Sequence, residues 1–68
     1  MAHRPGEMLK RWREQKGLNQ GELAARLHTD NSVLSRIERG LKPSAKLAKA
    51  IERVTKGEIK VEAWHERD

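Results

Sequence analysis

The chain has 68 residues and a mass of 7.8 kDa, enough for one small domain whose core is marginal unless a partner adds to it. It contains no cysteine, which excludes disulfides and thiolate–metal sites. Charged residues make up 37% of the sequence, and the longest apolar run is only three residues, Leu23 to Ala25. These features exclude a transmembrane helix and a signal-peptide core. We expect a cytoplasmic module that is too small for most active sites.

The net charge of +5 is concentrated in one part of the sequence. Residues 36–56 contain seven basic and two acidic side chains, whereas the rest of the chain has eight of each sign. The window therefore carries the whole net charge. A basic patch of this kind attracts polyanions through counterion release, although a lysine-rich surface can also serve solubility alone.

Start and stop signals predict two helices in the first half of the chain. Pro5 suits the first turn of a helix that contains Leu9 and Trp12 and ends at Gly17. Asn19 and Glu22 have the spacing of a capping box, which predicts a second helix over 20–27.

A third and a fourth helix follow with their own signals. After a short break, Asp30 is the predicted N-cap of a helix over 31–39, which stops at Gly40. Ser44 caps the fourth helix, and Gly57 ends it. The spacing of the apolar residues in both segments is helical.

The tail, 58–68, is predicted to be a short final helix or an arm that contains Ile59, Val61 and Trp64. No internal repeat appears, and β-branched residues are too scattered to predict strands. We expect residues 1–68 to form a single all-α domain of four to five helices.

Helices two and three, joined by a tight turn, have the form of a helix-turn-helix. The stretch from Gly17 to Ala24, the stretch from Leu34 to Gly40, and Pro43–Ser44 resemble the phage repressor and Cro-type (Xre-like) family. The resemblance covers roughly residues 7–57. It implies a lambda-repressor-like fold and a sequence-specific, double-stranded DNA-binding regulator. Such a regulator is typically a dimeric repressor of phage or prophage type that silences its own operon and binds a palindromic or pseudo-palindromic operator.

The resemblance also implies roles for individual residues. The third helix would enter the major groove, where Asn, Ser and Arg side chains can bond base edges. The implied base contacts are Asn31, Ser32, Ser35 and Arg36. The implied phosphate contacts are Asn19, Gln20, Arg39, Lys42 and Arg13. Arg13 and Glu38 occupy positions that form an ion pair in many relatives. Ile59, Val61 and Trp64 are the candidates for a dimer interface, and Trp64 can equally close the core of the monomer.

One departure from the family pattern predicts a local cost. His28 stands where many relatives have a glycine in the turn, at a position whose φ is often positive. A residue with a Cβ pays about 1 kcal/mol in that conformation.

Enzymatic and metal-dependent functions find no support in the sequence. His3, His28 and His65 are too dispersed for a metal site, and no glycine loop for phosphate or activated nucleophile is present, so we expect no cofactor. The alternative function is that of an antitoxin-like module that neutralises a toxin and also binds DNA. Only residues 58–68 offer it an apolar arm.

Overall fold

The computed structural model describes residues 4–65. Helix α1 spans Pro5–Gln15, α2 spans Gln20–Arg26, α3 spans Asn31–Glu38 and α4 spans Ala45–Val54. A short 3₁₀ helix, Val61–His65, follows α4. No strand occurs in the part of the chain that the structure describes, and the predicted all-α fold is confirmed.

The predicted helix boundaries agree with the structure to within one to three residues. Pro5 is the first residue of α1, and Gly17 follows its C-cap with a φ of 73°. Both bonds of the capping box between Asn19 and Glu22 are present. Ser44 caps α4 through a hydrogen bond from the backbone N–H of Leu47 at 3.2 Å. Asp30 occupies the N-cap position of α3, but its side chain makes no capping hydrogen bond.

The core lies where α1, α2 and α4 meet the inner face of α3, and the segment after α4 closes it. Helix α3 packs against both α2 and α1, and α4 packs against the 3₁₀ helix. The buried apolar residues are Leu9, Trp12, Leu23, Ala24, Leu27, Leu34, Ile37, Ala48, Ile51, Ile59 and Trp64. Every described element except the loops therefore contributes to one continuous core.

Two polar side chains attach the segment after α4 to that helix. The buried hydroxyl of Thr55 donates to the carbonyl of Ile51 at 2.8 Å and accepts from the N–H of Ile59 at 3.2 Å. The carboxylate of Glu52 accepts a hydrogen bond from the N–H of Val61 at 3.1 Å. These bonds hold Ile59 and the 3₁₀ helix against the core.

The positive φ predicted for His28 is confirmed, at 57°, and it supports a prediction about stability. We expect His28→Gly to be neutral or to stabilise the fold by up to about 1 kcal/mol, because glycine adopts this conformation without a Cβ penalty. Thermal unfolding followed by circular dichroism measures the change in stability.

Gly17→Ala is the matched control. Gly17 also has a positive φ and open space around it, so alanine there should lower the melting temperature. A clear fall in melting temperature for His28→Gly would contradict the prediction.

Candidate nucleic-acid interface

Helix α3 is divided between an anchored face and a polar face. Leu34 and Ile37 are fully buried in the core. Asn31, Ser32 and Arg36 are exposed, and Ser35 is half-buried. The four predicted base-contacting residues thus lie on the part of α3 that the core does not use, with Ser35 the least accessible of them.

The N-terminus of α2 presents a second polar surface. The exposed Asn19 accepts from the N–H of Glu22 at 2.7 Å through its side chain, and its backbone N–H donates to the Glu22 carboxylate at 2.8 Å. Asn19 therefore acts as a helix cap. The positive end of the helix dipole also favours an anion at this point.

A buried hydrogen-bond network lies between α1, α2 and α3. The guanidinium of Arg13 donates to the Glu38 carboxylate through Nε at 2.7 Å and through Nη2 at 3.2 Å. Its Nη1 donates to the carbonyl of Leu18 at 3.0 Å. The side-chain amide of Gln20 donates to the same Glu38 carboxylate at 3.0 Å. One carboxylate at the end of α3 therefore fixes side chains from the other two helices.

This network contains the ion pair that was predicted between Arg13 and Glu38. Arg13 is 9% exposed, Glu38 is 7% exposed, and the pair is bidentate. The hydrogen bond with Glu38 is the main cause of the raised pKa of Arg13, and burial only partly opposes it. These three bonds use three of the five N–H groups of the guanidinium, so the predicted phosphate contact of Arg13 stays a prediction beside the ion pair.

Gln20 has a position that the sequence does not reveal. It is half-buried at the first turn of α2, and its amide is oriented by Glu38. An amide nitrogen has two hydrogens, of which the bond to Glu38 uses one. The second hydrogen and the free N–H groups of the helix terminus remain for a phosphate.

The loop after α3 carries two exposed cations. Arg39 is the C-cap of α3, and Lys42 lies in the loop before α4, next to the buried Pro43. Neither cation forms an ion pair with another residue of 4–65. Both side chains are therefore available to an anionic partner.

The residues predicted for a dimer interface lie elsewhere. Ile59 is 2% exposed and Trp64 is 8% exposed, whereas Val61 is half-buried. Ile59 and Trp64 contribute to the core of the single chain, and their predicted use in a dimer interface stays a prediction. Of the three, Val61 alone retains surface.

Neither a metal-holding cluster nor a membrane-spanning helix is found among the residues that the structure describes. Within residues 4–65, no three His, Cys, Asp or Glu side chains are grouped so as to hold a metal ion. No helix in the same range is long and apolar enough to cross a bilayer.

A comparison with known protein families decides the identity of the domain. A helix-turn-helix family model matches residues 9–60, which include α2, α3 and α4 entirely and most of α1. The chain belongs to the helix-turn-helix family of the Xre and Cro type. No curated protein and no solved structure matches the chain.

Membership of the helix-turn-helix family makes the chain a DNA-binding transcription regulator. Regulators of this family are generally not enzymes. In helix-turn-helix proteins the second helix of the motif is the recognition helix, and here that helix is α3.

Proposed function

We propose that this helix-turn-helix protein is a dimeric repressor that inserts α3 into the major groove of a palindromic or pseudo-palindromic operator. The observation that supports the proposal best is the division of α3. Leu34, Ile37 and Glu38 anchor one side, while Asn31 and Arg36 are exposed on the other. An anchored helix with exposed hydrogen-bonding side chains is what base readout requires.

The remaining polar residues fit supporting roles around α3. We assign base contacts to Asn31, Ser32, Ser35 and Arg36. We assign phosphate contacts to Asn19, Gln20, Arg39, Lys42 and Arg13. Phosphate contacts position a protein on DNA without specifying sequence, so the specificity of this protein rests on α3.

Repression would follow from occupancy of the operator, which blocks polymerase. An autoregulatory role in a phage or prophage operon, in the cytoplasm and at the nucleoid, is the biological setting that the family favours. We favour the repressor over the antitoxin-like alternative, because Ile59 and Trp64, in the segment that would supply an apolar arm, are buried.

Selection of bound duplexes from a random pool, with stoichiometry from analytical ultracentrifugation, tests the proposal. We expect an inverted repeat whose half-site centres are about one DNA turn apart, roughly 34 Å, and two chains for each duplex. A pool that shows no enrichment would overturn sequence-specific binding. Enrichment with one chain for each duplex would overturn the dimer.

The salt dependence of DNA binding is a separate prediction. Arg39 and Lys42 would neutralise two phosphates in each protomer and four in a dimer. The slope of log affinity against log salt should then be roughly −3 to −4, at about 0.9 for each phosphate. Titrations of fluorescent duplex over a range of salt concentrations measure this slope.

Lys42→Ala should flatten the slope by about 2, because a dimer loses two contacts. Lys60→Ala, at an exposed position outside the proposed interface, should leave it unchanged. A flat slope for the unmodified protein would argue for a protein partner instead of DNA.

A further inference from the structure

An open cleft of about 430 Å³ lies between the α2–α3 turn and α4. Its apolar surface comes from the buried Leu27 and the half-buried Leu47 and Ala50. The volume is within the range of about 300–1,000 Å³ that is typical of ligand clefts. None of the residues to which we assign DNA contacts lines this cleft. It is therefore a surface distinct from the one that the proposed function uses.

The cleft carries an uncompensated positive charge. Lys46, Lys49 and Arg53 line it and are exposed. None of the three forms an ion pair or a side-chain hydrogen bond with another residue of 4–65. No acidic residue lines the cleft. The one acidic residue of α4, Glu52, is instead bonded to the N–H of Val61.

Three kinds of partner could occupy the cleft: DNA, a second copy of this chain and a segment of another protein. The positive charge and the apolar surface of the cleft together favour one of them. A DNA backbone supplies phosphates, but only the small C–H surface of its deoxyribose rings to bury against Leu47 and Ala50. A second copy of this chain, related by a two-fold axis through the cleft, would bring the same cations towards each other at an energetic cost. A protein segment with carboxylates next to an apolar side chain complements both features.

We propose that this cleft docks an acidic, amphipathic segment of a protein partner. Apolar side chains of the partner cover Leu47 and Ala50, and its carboxylates pair with Lys49 and Arg53. The cleft and the exposed face of α3 share no residue.

The experiment uses the full chain and a fluorescein-labelled peptide of alternating glutamate and leucine. We expect saturable binding, with amide shifts in ¹⁵N–¹H spectra concentrated at Leu27, His28, Leu47 and Ala50. A polyglutamate peptide of equal charge should bind more weakly, because it has no apolar groups. Lys49→Glu/Arg53→Glu should weaken binding of the glutamate–leucine peptide by about tenfold, since two attractive contacts become repulsive.

A matched variant separates the local effect from net charge. Lys10→Glu/Lys60→Glu makes the same change in charge at exposed positions outside the cleft. It should weaken peptide binding much less than the cleft variant. Both variants should keep the melting temperature of the parent protein, and both should bind duplex DNA with equal affinity.

Five results would overturn the proposal. The peptide does not bind saturably, or its shifts fall on α3. The two variants weaken peptide binding equally. The cleft variant loses more duplex affinity than the control, which would make the cleft a phosphate-binding surface. The cleft variant alone changes the sedimentation equilibrium of the free protein, which would make it an interface between copies of this chain.

Discussion

Glu38→Ala is expected to destabilise the domain by about 3–5 kcal/mol, because it leaves the buried guanidinium of Arg13 without its counter-ion. The change also removes the acceptor of the Gln20 amide. A domain of this size has a free energy of unfolding near the lower end of about 5–15 kcal/mol, so the loss removes most of it. Urea denaturation followed by circular dichroism measures the difference, with the midpoint as the readout.

A double variant distinguishes an orphaned charge from a simple loss of packing. Arg13→Met/Glu38→Met removes both charges and keeps apolar volume, and it should be more stable than Glu38→Ala. This difference between the two variants is the signature of an unpaired buried charge. A double variant that is no more stable than Glu38→Ala would contradict the explanation. So would a loss of less than about 1 kcal/mol for Glu38→Ala itself.

The features that the sequence predicts well are those that depend on neighbouring residues. A capping box needs only Asn19 and Glu22, three residues apart, and its two hydrogen bonds form within one turn. The positive φ of His28 is implied by the family resemblance, since many relatives have a glycine at this position of the turn. Both features involve local hydrogen bonding or local backbone geometry and not the packing of distant helices.

The features that the sequence predicts poorly depend on how helices pack. Gly6 lies in α1, where an added Cβ would run into the carbonyl oxygen of Ile37 in α3. This close approach explains why glycine is required inside a helix, a position where its propensity is unfavourable. The spacing of apolar residues within α1 does not reveal that position 6 requires glycine. The constraint comes from a residue more than 30 positions away.

The candidate site also depends on contacts between helices, which the sequence does not show. The contact between the Gln20 amide and Glu38, 18 residues further along the chain, has no signal in the sequence around Gln20. The apolar character of Ile59 and Trp64 predicts burial but does not say whether the domain or a second copy covers them. The hydrogen bond that holds the backbone of Ile59 to Thr55 is likewise a contact that composition alone cannot indicate.

Arg36→Ala is expected to reduce discrimination at one base position in each half-site by about 1–3 kcal/mol. Arg36 is exposed on the outer face of α3, one helical turn beyond Ser32, while the neighbouring Ile37 holds the helix in the core. A guanidinium in the major groove bonds a guanine through two donors, and alanine removes both. Removing this side chain from an exposed position should leave the melting temperature nearly unchanged.

Lys42→Ala is the comparison that separates base readout from phosphate binding. Lys42 lies in the loop after α3, so its loss should weaken binding to the selected operator and to random duplex by the same factor. Competition titrations with the operator, its single-base variants and random duplex measure both substitutions. Arg36→Ala should bind the operator and one of its single-base variants with nearly equal affinity, whereas Lys42→Ala should preserve the parent's preference at every position. Equal losses on specific and random DNA for both substitutions would contradict the placement of α3 in the groove, because a base-reading side chain must affect its cognate sequence more than any other.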